Sequence, residues 1–235
     1  MRRSRFLQLG IVIASLSLSP SLASASSITI NYTDSGAYNG FAGGFHNAAN
    51  QTYIAGLCPA SDCALSELPF RNFFVFDLSA VSDTIVSATL QLNTGGVVTD
   101  GAYTLYDMQT DITTLRAGGS GLSNVYADLG TGTPYGSIGI LSTQDNTIAN
   151  IGLNTYAIAG LNAARGGLFA LGGDYVSPYS AFGNISTNSF DWLASATRQL
   201  QLEAQTVPEP PTMLLLGSSL VLLLILFRKR LSRSH

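Results

Sequence analysis

Apolar and polar residues alternate with period two in several short windows of this chain. In Ile85–Asn93 (IVSATLQLN), Val86, Ala88, Leu90 and Leu92 fall on one face and Ser87, Thr89, Gln91 and Asn93 on the other. That pattern predicts a strand with one face in a core. Arg198–Glu203 (RQLQLE) repeats it. Phe70–Leu78 (FRNFFVFDL) is apolar on both faces at its centre, which predicts an interior strand. Further strands are expected at Ser27–Thr33, Ala102–Asp107, Ser137–Leu141, Thr155–Ala159 and Gly167–Leu171, with a weaker one at Ala181–Ile185. Clusters of Gly, Asn and Asp separate them. Leu161–Arg165 (LNAAR), ended by Gly166-Gly167, predicts a short helix, and Ile112–Leu115 a helical turn. About nine short strands with few helices predict an all-β domain built as a two-sheet β-sandwich.

Two segments break the alternation. Arg2, Arg3 and Arg5 precede the apolar run Phe6–Leu18, and Ala23-Ser24-Ala25 supplies small residues for signal peptidase. Residues 1–25 are therefore expected to be a secretory signal helix, cleaved after Ala25. At the other end, Thr212–Phe227 holds 16 uncharged, mostly apolar residues. As a helix it would span about 24 Å at ~1.5 Å per residue. This is short for a hydrocarbon layer of about 30 Å, but workable with snorkelling cations. Arg228, Lys229, Arg230 and Arg233 follow it and predict a cytoplasmic end by the positive-inside rule. The expected organisation is a signal (1–25), an ectodomain (26–206) and a tail (207–235) whose single transmembrane helix covers about 212–227.

Charge sharpens this division. Residues 26–206 contain only Arg71, Arg116, Arg165 and Arg198 against 13 Asp and Glu, a net of −9. An acidic surface without lysine repels phosphates, which excludes nucleic-acid binding.

The tail carries a family resemblance. Val207-Pro208-Glu209-Pro210, then a short apolar helix containing Gly217, then an Arg-rich end, resembles the PEP-CTERM sorting signal. The likeness implies a bacterial exported protein recognised through Pro208, Glu209 and Pro210 by a membrane-embedded exosortase. That enzyme would remove the tail and pass the protein to the cell surface or matrix. Prolines hold this stretch extended and deny it helix hydrogen bonds, as a protease-like site requires. Within the ectodomain, RNFFVFDL followed by IVSATLQL resembles jelly-roll domains of the DNRLRE and carbohydrate-binding-module kind. That resemblance implies a jelly-roll fold for the sandwich and transfers little function.

The middle of the chain shows no catalytic motif. GGSGL lacks the last glycine of G-x-S-x-G, and GTGTPYG is not G-x-G-x-x-G. Cys58 and Cys63, in an exported segment, are expected to close a small loop as a disulfide; four intervening residues without a nearby histidine disfavour zinc. His46 is the ectodomain's single histidine and is expected to hydrogen-bond its loop, to Asp34 or Asn50. The isolated Asp residues are expected to close turns. No resident cofactor is expected, and a structural calcium on carbonyls and one carboxylate is the one exception the composition allows. Arg71 and Asp77 share a strand face at about 20 Å separation and cannot pair. Arg71 is expected to anchor a loop or a strand end elsewhere, and Asp77 to accept turn N–H groups. Two aromatic clusters stand out: Tyr38, Phe41, Phe45 and Tyr53, and then Tyr175, Tyr179, Phe182, Phe190 and Trp192. Most aromatics of this kind pack the ends of a sandwich. The functional alternative is a glycan-binding surface using Tyr38, Phe41, Tyr53 and Trp192. The expected function is thus a non-enzymatic surface or matrix protein. Its expected partners are exosortase and the membrane, and exopolysaccharide if the chain acts as an adhesive module.

Overall fold

The computed structural model describes residues 25–41, 44–58, 68–95, 97, 100–176, 181–182 and 197–205. These residues fall in a compact unit, Ser24–Val207. Residues 1–24, 59–67 with Cys63, 183–196 with Trp192, and 206–235 lie outside the described residues.

The unit is all-β. Its strands are β1 (Ala25–Asn39), β2 (Phe45–His46), β3 (Ala55–Cys58), β4 (Leu68–Asp77), β5 (Thr84–Asn93) and β6 (Gly101–Tyr106). They continue as β7 (Gly119–Ser120), β8 (Pro134–Ile140), β9 (Ile148–Gly152), β10 (Leu168–Val176), β11 (Ala181–Phe182) and β12 (Arg198–Gln205). Among the described residues three short α-helices intervene, α1 (Ile112–Ala117), α2 (Ser123–Asp128) and α3 (Thr155–Ala163). The main hydrogen-bonded path runs β8-β6-β10-β4-β1-β12-β5-β9, with β2, β3, β7 and β11 attached at its side. The path nearly closes on itself. Asn154, just past β9, donates its backbone N–H to Tyr135 O (2.8 Å) and its Nδ2 to Pro134 O (2.7 Å) in β8.

β1 organises the path. Its first half, Ala25–Asn31, pairs with β12, and its second half, Tyr32–Asn39, pairs with β4. A register shift between Tyr32 and Asp34 marks the change of partner. The expected strand Ser27–Thr33 is therefore less than half of the real one. β4 lies between β1 and β10, as an interior strand should. Phe74 and Phe76 face the main core with Leu90, Leu92, Ile151, Leu171, Leu200 and Leu202. Phe73 and Val75 face a second core, where Leu115 of α1 and Val125 of α2 cover the other side of the path.

Several expectations need correction. Thr155–Ala159 is not a strand but the start of α3. Asn154 caps it by accepting from Tyr156 N and Ala157 N (both 3.1 Å). Ala157 and Leu161, four residues apart, are the positions α3 buries. LNAAR is then the last turn of α3 and the turn beyond it, not a separate helix. The strand in this region is β9, just upstream. In β5 the inward set is Ile85, Ala88, Leu90 and Leu92, while Val86 is 43% exposed. Ile85 pairs with Ala204 and Ser87 with Glu203, so Val86 is an extra residue in a bulge that shifts the phase. β8 begins three residues earlier than expected, at Pro134. The helical turn at Ile112 extends to α1, capped by Asp111, which accepts from Thr113 N (2.8 Å). The sequence reading did not anticipate α2.

Candidate functional site

The aromatic surface weighed as the functional alternative loses two of its four residues to the interior. Tyr38 and Tyr53 are both 0% exposed. Tyr38 donates its hydroxyl to Leu115 O (2.8 Å) and Tyr53 to Asn93 O (3.0 Å). Burial pushes both phenol pKa values up to about 12. Neither ring offers a face to a sugar, because each sits on the inward phase of its segment. Phe41 (64% exposed) and Phe45 (44%) do face outward, where Gly44 N returns to Phe41 O and Asn39 pairs with Phe45. Trp192 lies outside the described residues.

His46 is buried in β2 between Tyr38 (4.9 Å between ring centroids) and Phe73 (5.2 Å, edge to face). Its Nδ1 lies 3.0 Å from Ala37 O, and a carbonyl can only accept, so this nitrogen carries the proton. The expected loop hydrogen bond is present, but to neither expected partner. Asn50 accepts from Thr52 N (2.9 Å), and Asp34 takes Arg116 Nε (2.7 Å). Burial lowers the His46 pKa, partly offset by the Ala37 carbonyl and the Asp34 charge. Gly36 and Gly118 leave room for this ring; a Cβ on Gly36 would strike His46 Cε1.

Arg198 is the polar group that sequence reasoning underrated. It stands on the inward phase of β12 with Leu200 and Leu202 and is 1% exposed. Its guanidinium lies over the rings of Tyr32 (3.7 Å) and Tyr53 (5.0 Å). It donates to Ser35 Oγ (2.6 Å), Gln51 O (3.0 Å) and Tyr32 Oη (2.7 Å). The period-two phase of RQLQLE was the available signal: Arg198 shares parity with the two leucines. Arg71 ties β4 not to a loop but to the last turn of α2, donating to Tyr126 O (3.0 Å) and Ala127 O (3.2 Å), and pairs with Asp174 of β10 (3.5 Å).

Apart from Asp34 and Asp174, which pair with Arg116 and Arg71, several carboxylates accept from backbone N–H groups. Asp77 accepts from Ser79 N (2.8 Å), Asp100 from Ser142 N (2.8 Å), and Asp128 from Thr110 N (2.7 Å) and Gln109 N (3.0 Å). Among the described residues, no three His, Cys, Asp or Glu side chains gather as a metal site. Cys58 ends β3, and Cys63 lies outside the described residues, as do Ala23, Pro208, Glu209, Pro210 and the basic cluster Arg228, Lys229, Arg230 and Arg233. No helix among the described residues is long and apolar enough to cross a membrane. A cavity of about 220 Å³ opens between Met108, Ile112, Tyr135, Leu168 and Phe169.

One surface assembles residues that the sequence did not single out. Where the first half of β1, β12, β5 and β9 run side by side, the outward positions form rows in register. Asn31 pairs with Gln199, Gln199 with Gln91, and Gln91 with Asn150. Thr29 pairs with Gln201, Gln201 with Thr89, and Thr89 with Gly152. Side chains link across all four strands: Thr29 Oγ1 to Gln201 Oε1 (2.8 Å), Gln201 Nε2 to Gln91 Oε1 (3.3 Å), and Gln91 Nε2 to Asn150 Oδ1 (2.8 Å). Gln199 Nε2 donates to Asn31 Oδ1 (3.0 Å) beside them. Comparison with protein-family models and with curated proteins yields no match to this chain.

Proposed function

We propose that this chain is a non-enzymatic exported surface or extracellular-matrix protein, sorted by exosortase through Pro208, Glu209 and Pro210. The observation that carries the reading is the tail itself: the proline-rich motif, the apolar run to Phe227 and the basic end, in that order. The ladder of β1 supports it. Ala25 pairs with Gln205, so the folded unit's two chain ends emerge side by side. Only Thr206 and Val207 separate the last paired residue from Pro208. Four residues of which three are prolines, so soon after a laddered strand, cannot continue a helix and would suit recognition in extended form by a membrane enzyme. The expected signal cleavage leaves Ser26 as the first residue, one place into β1. Until release, residues 212–227 and the four cations behind them would hold the protein in the membrane.

The proposal includes the finer fold, a jelly-roll-like sandwich of two sheets. Its support is the change of partner in β1, from β12 to β4, with a single core between the strands on either side of that change.

The intact mass of the protein from its host, with and without exosortase, tests the reading. The expected result is a chain ending near Pro208 in normal cells and an uncut tail without the enzyme. A full-length tail in both would reduce the segment to a plain anchor and overturn the sorting assignment. A second reading, an adhesive module for extracellular polysaccharide, is favoured by one observation: the uncharged amide and hydroxyl rows on β1, β12, β5 and β9.

A further inference from the structure

We propose that the outward face of the first half of β1 with β12, β5 and β9 binds an extended neutral polysaccharide. The proposal rests on the adhesive reading above and gives it a site and a ligand class.

Three observations point the same way. The first is charge. In a unit with net −9, Glu203 carries the sole charge among the outward ladder positions of these four strands, which include Thr29, Asn31, Gln91, Asn150, Gln199 and Gln201. A face without cations offers nothing to an anionic glycan or a nucleic acid. The second is chemistry. Amides and hydroxyls each donate and accept, which is what a chain of sugar hydroxyls requires. Aromatic anchors, among the usual hot spots of protein interfaces, are lacking from those positions, and the exposed aliphatics Val86 and Ile148 stand apart, at the bulge of β5 and the start of β9. The third is preorganisation. The cross-strand hydrogen bonds from Thr29 through Gln201 and Gln91 to Asn150 fix the amide orientations before any ligand arrives, which cuts the ordering cost of binding. Each of these amides keeps a second N–H, and Asn31, Asn150 and Gln199 keep further polar capacity toward solvent.

The opposite outer surface makes the contrast. Over β1, β4 and β10, α1 and α2 bring Leu115, Val125 and Leu129 down onto Tyr38, Phe73 and Val75. The fold covers an apolar face there and leaves the amide face uncovered. Rows repeat at about 6.7 Å along the strands and about 4.8 Å across them, so the face is a regular grid suited to a repeating ligand. Without a stacking platform each contact is weak, and binding gains from many displayed copies on one polymer.

The test uses the full-length chain in a non-glycosidic detergent. Affinity electrophoresis in gels containing hydroxyethylcellulose, dextran or galactomannan, and pull-down on microcrystalline cellulose, are compared with alginate gels. Retardation by at least one neutral polymer is expected, unchanged in about 0.5 M salt, because no ion pair is involved. The Thr29→Ala/Gln91→Ala/Gln199→Ala/Gln201→Ala variant should bind at least about tenfold more weakly. The near-isosteric Gln91→Glu/Gln201→Glu variant, with an unchanged circular dichroism spectrum, should lose binding too. Phe41→Ser/Phe45→Ser should keep it. If the sheet variants bind normally and the phenylalanine variant does not, the adhesive reading stands and this site is wrong. If the wild type binds no neutral polymer, or alginate alone, the site fails along with the adhesive reading. A self-association in ultracentrifugation that the sheet variants abolish, without polysaccharide retardation, would make the face a protein interface and overturn the proposal.

Discussion

Arg198 and His46 are buried polar side chains held in different ways. Arg198 ties β12 to Tyr32 and Ser35 of β1 and to the Gln51 carbonyl by a planar fork stacked on tyrosine. Lysine keeps the charge but cannot satisfy that geometry. Arg198→Lys is expected to lower stability by roughly 2–4 kcal/mol, read as the midpoint of urea unfolding. Loss within error would mean the fork contributes little. His46 makes stability depend on pH. Its folded pKa lies below that of the unfolded chain, about 6.5. As pH falls below about 6.5 the unfolded chain takes up the proton first, so stability drops until the folded pKa is passed; above about 6.5 the contribution is level. Asp77 and Asp100, whose pKa values are lowered by hydrogen bonds from Ser79 and Ser142, act lower, below about pH 4. The urea midpoint should therefore decline from pH 7 to 5 in the parent chain and stay flatter in His46→Gln. Parallel slopes in the two proteins would remove His46 as the cause.

At the scale of elements, β5 illustrates the limit of alternation. Its outer residues read correctly from Ser87 to Asn93, and its start does not, because one bulged residue inverts the parity. Ile85→Ala should cost about 2–4 kcal/mol, while Val86→Thr should stay within about 0.5 kcal/mol. A thermal or urea titration giving the reverse ranking would restore the simple alternating strand. The misreading of Thr155–Ala159 has a different origin. Apolar residues at 156, 157, 158 and 159 fit either period. The decision falls to Asn154, whose side chain caps a helix and whose backbone and amide also tie to β8. Such a residue votes for the helix only when its partners are in place.

For the whole molecule, the composition and the period-two windows already implied an all-β unit, and the interior character of β4 followed from its two apolar faces. The expectations for the two terminal segments rest on sequence alone, on an apolar run beside basic residues and a proline-rich stretch, which are local signals. Three features needed the tertiary structure. Only the pairing of Ala25 with Gln205 brings the ends together, across 180 positions of chain. Only the inward phase of β12 buries Arg198, and only the packing of neighbouring elements buries Tyr38 and Tyr53 while leaving Phe41 and Phe45 outside. The amide face is the clearest case. Thr29, Gln91, Asn150 and Gln201 are each ordinary outward residues of separate strands, and strand order and register alone bring them into two adjacent rows linked side chain to side chain. Alternation along a strand is set by local backbone geometry and can be read from the sequence. Which strands become neighbours, and in what register, is settled by burying the shared core, and that balance of distant contacts is written in no single window.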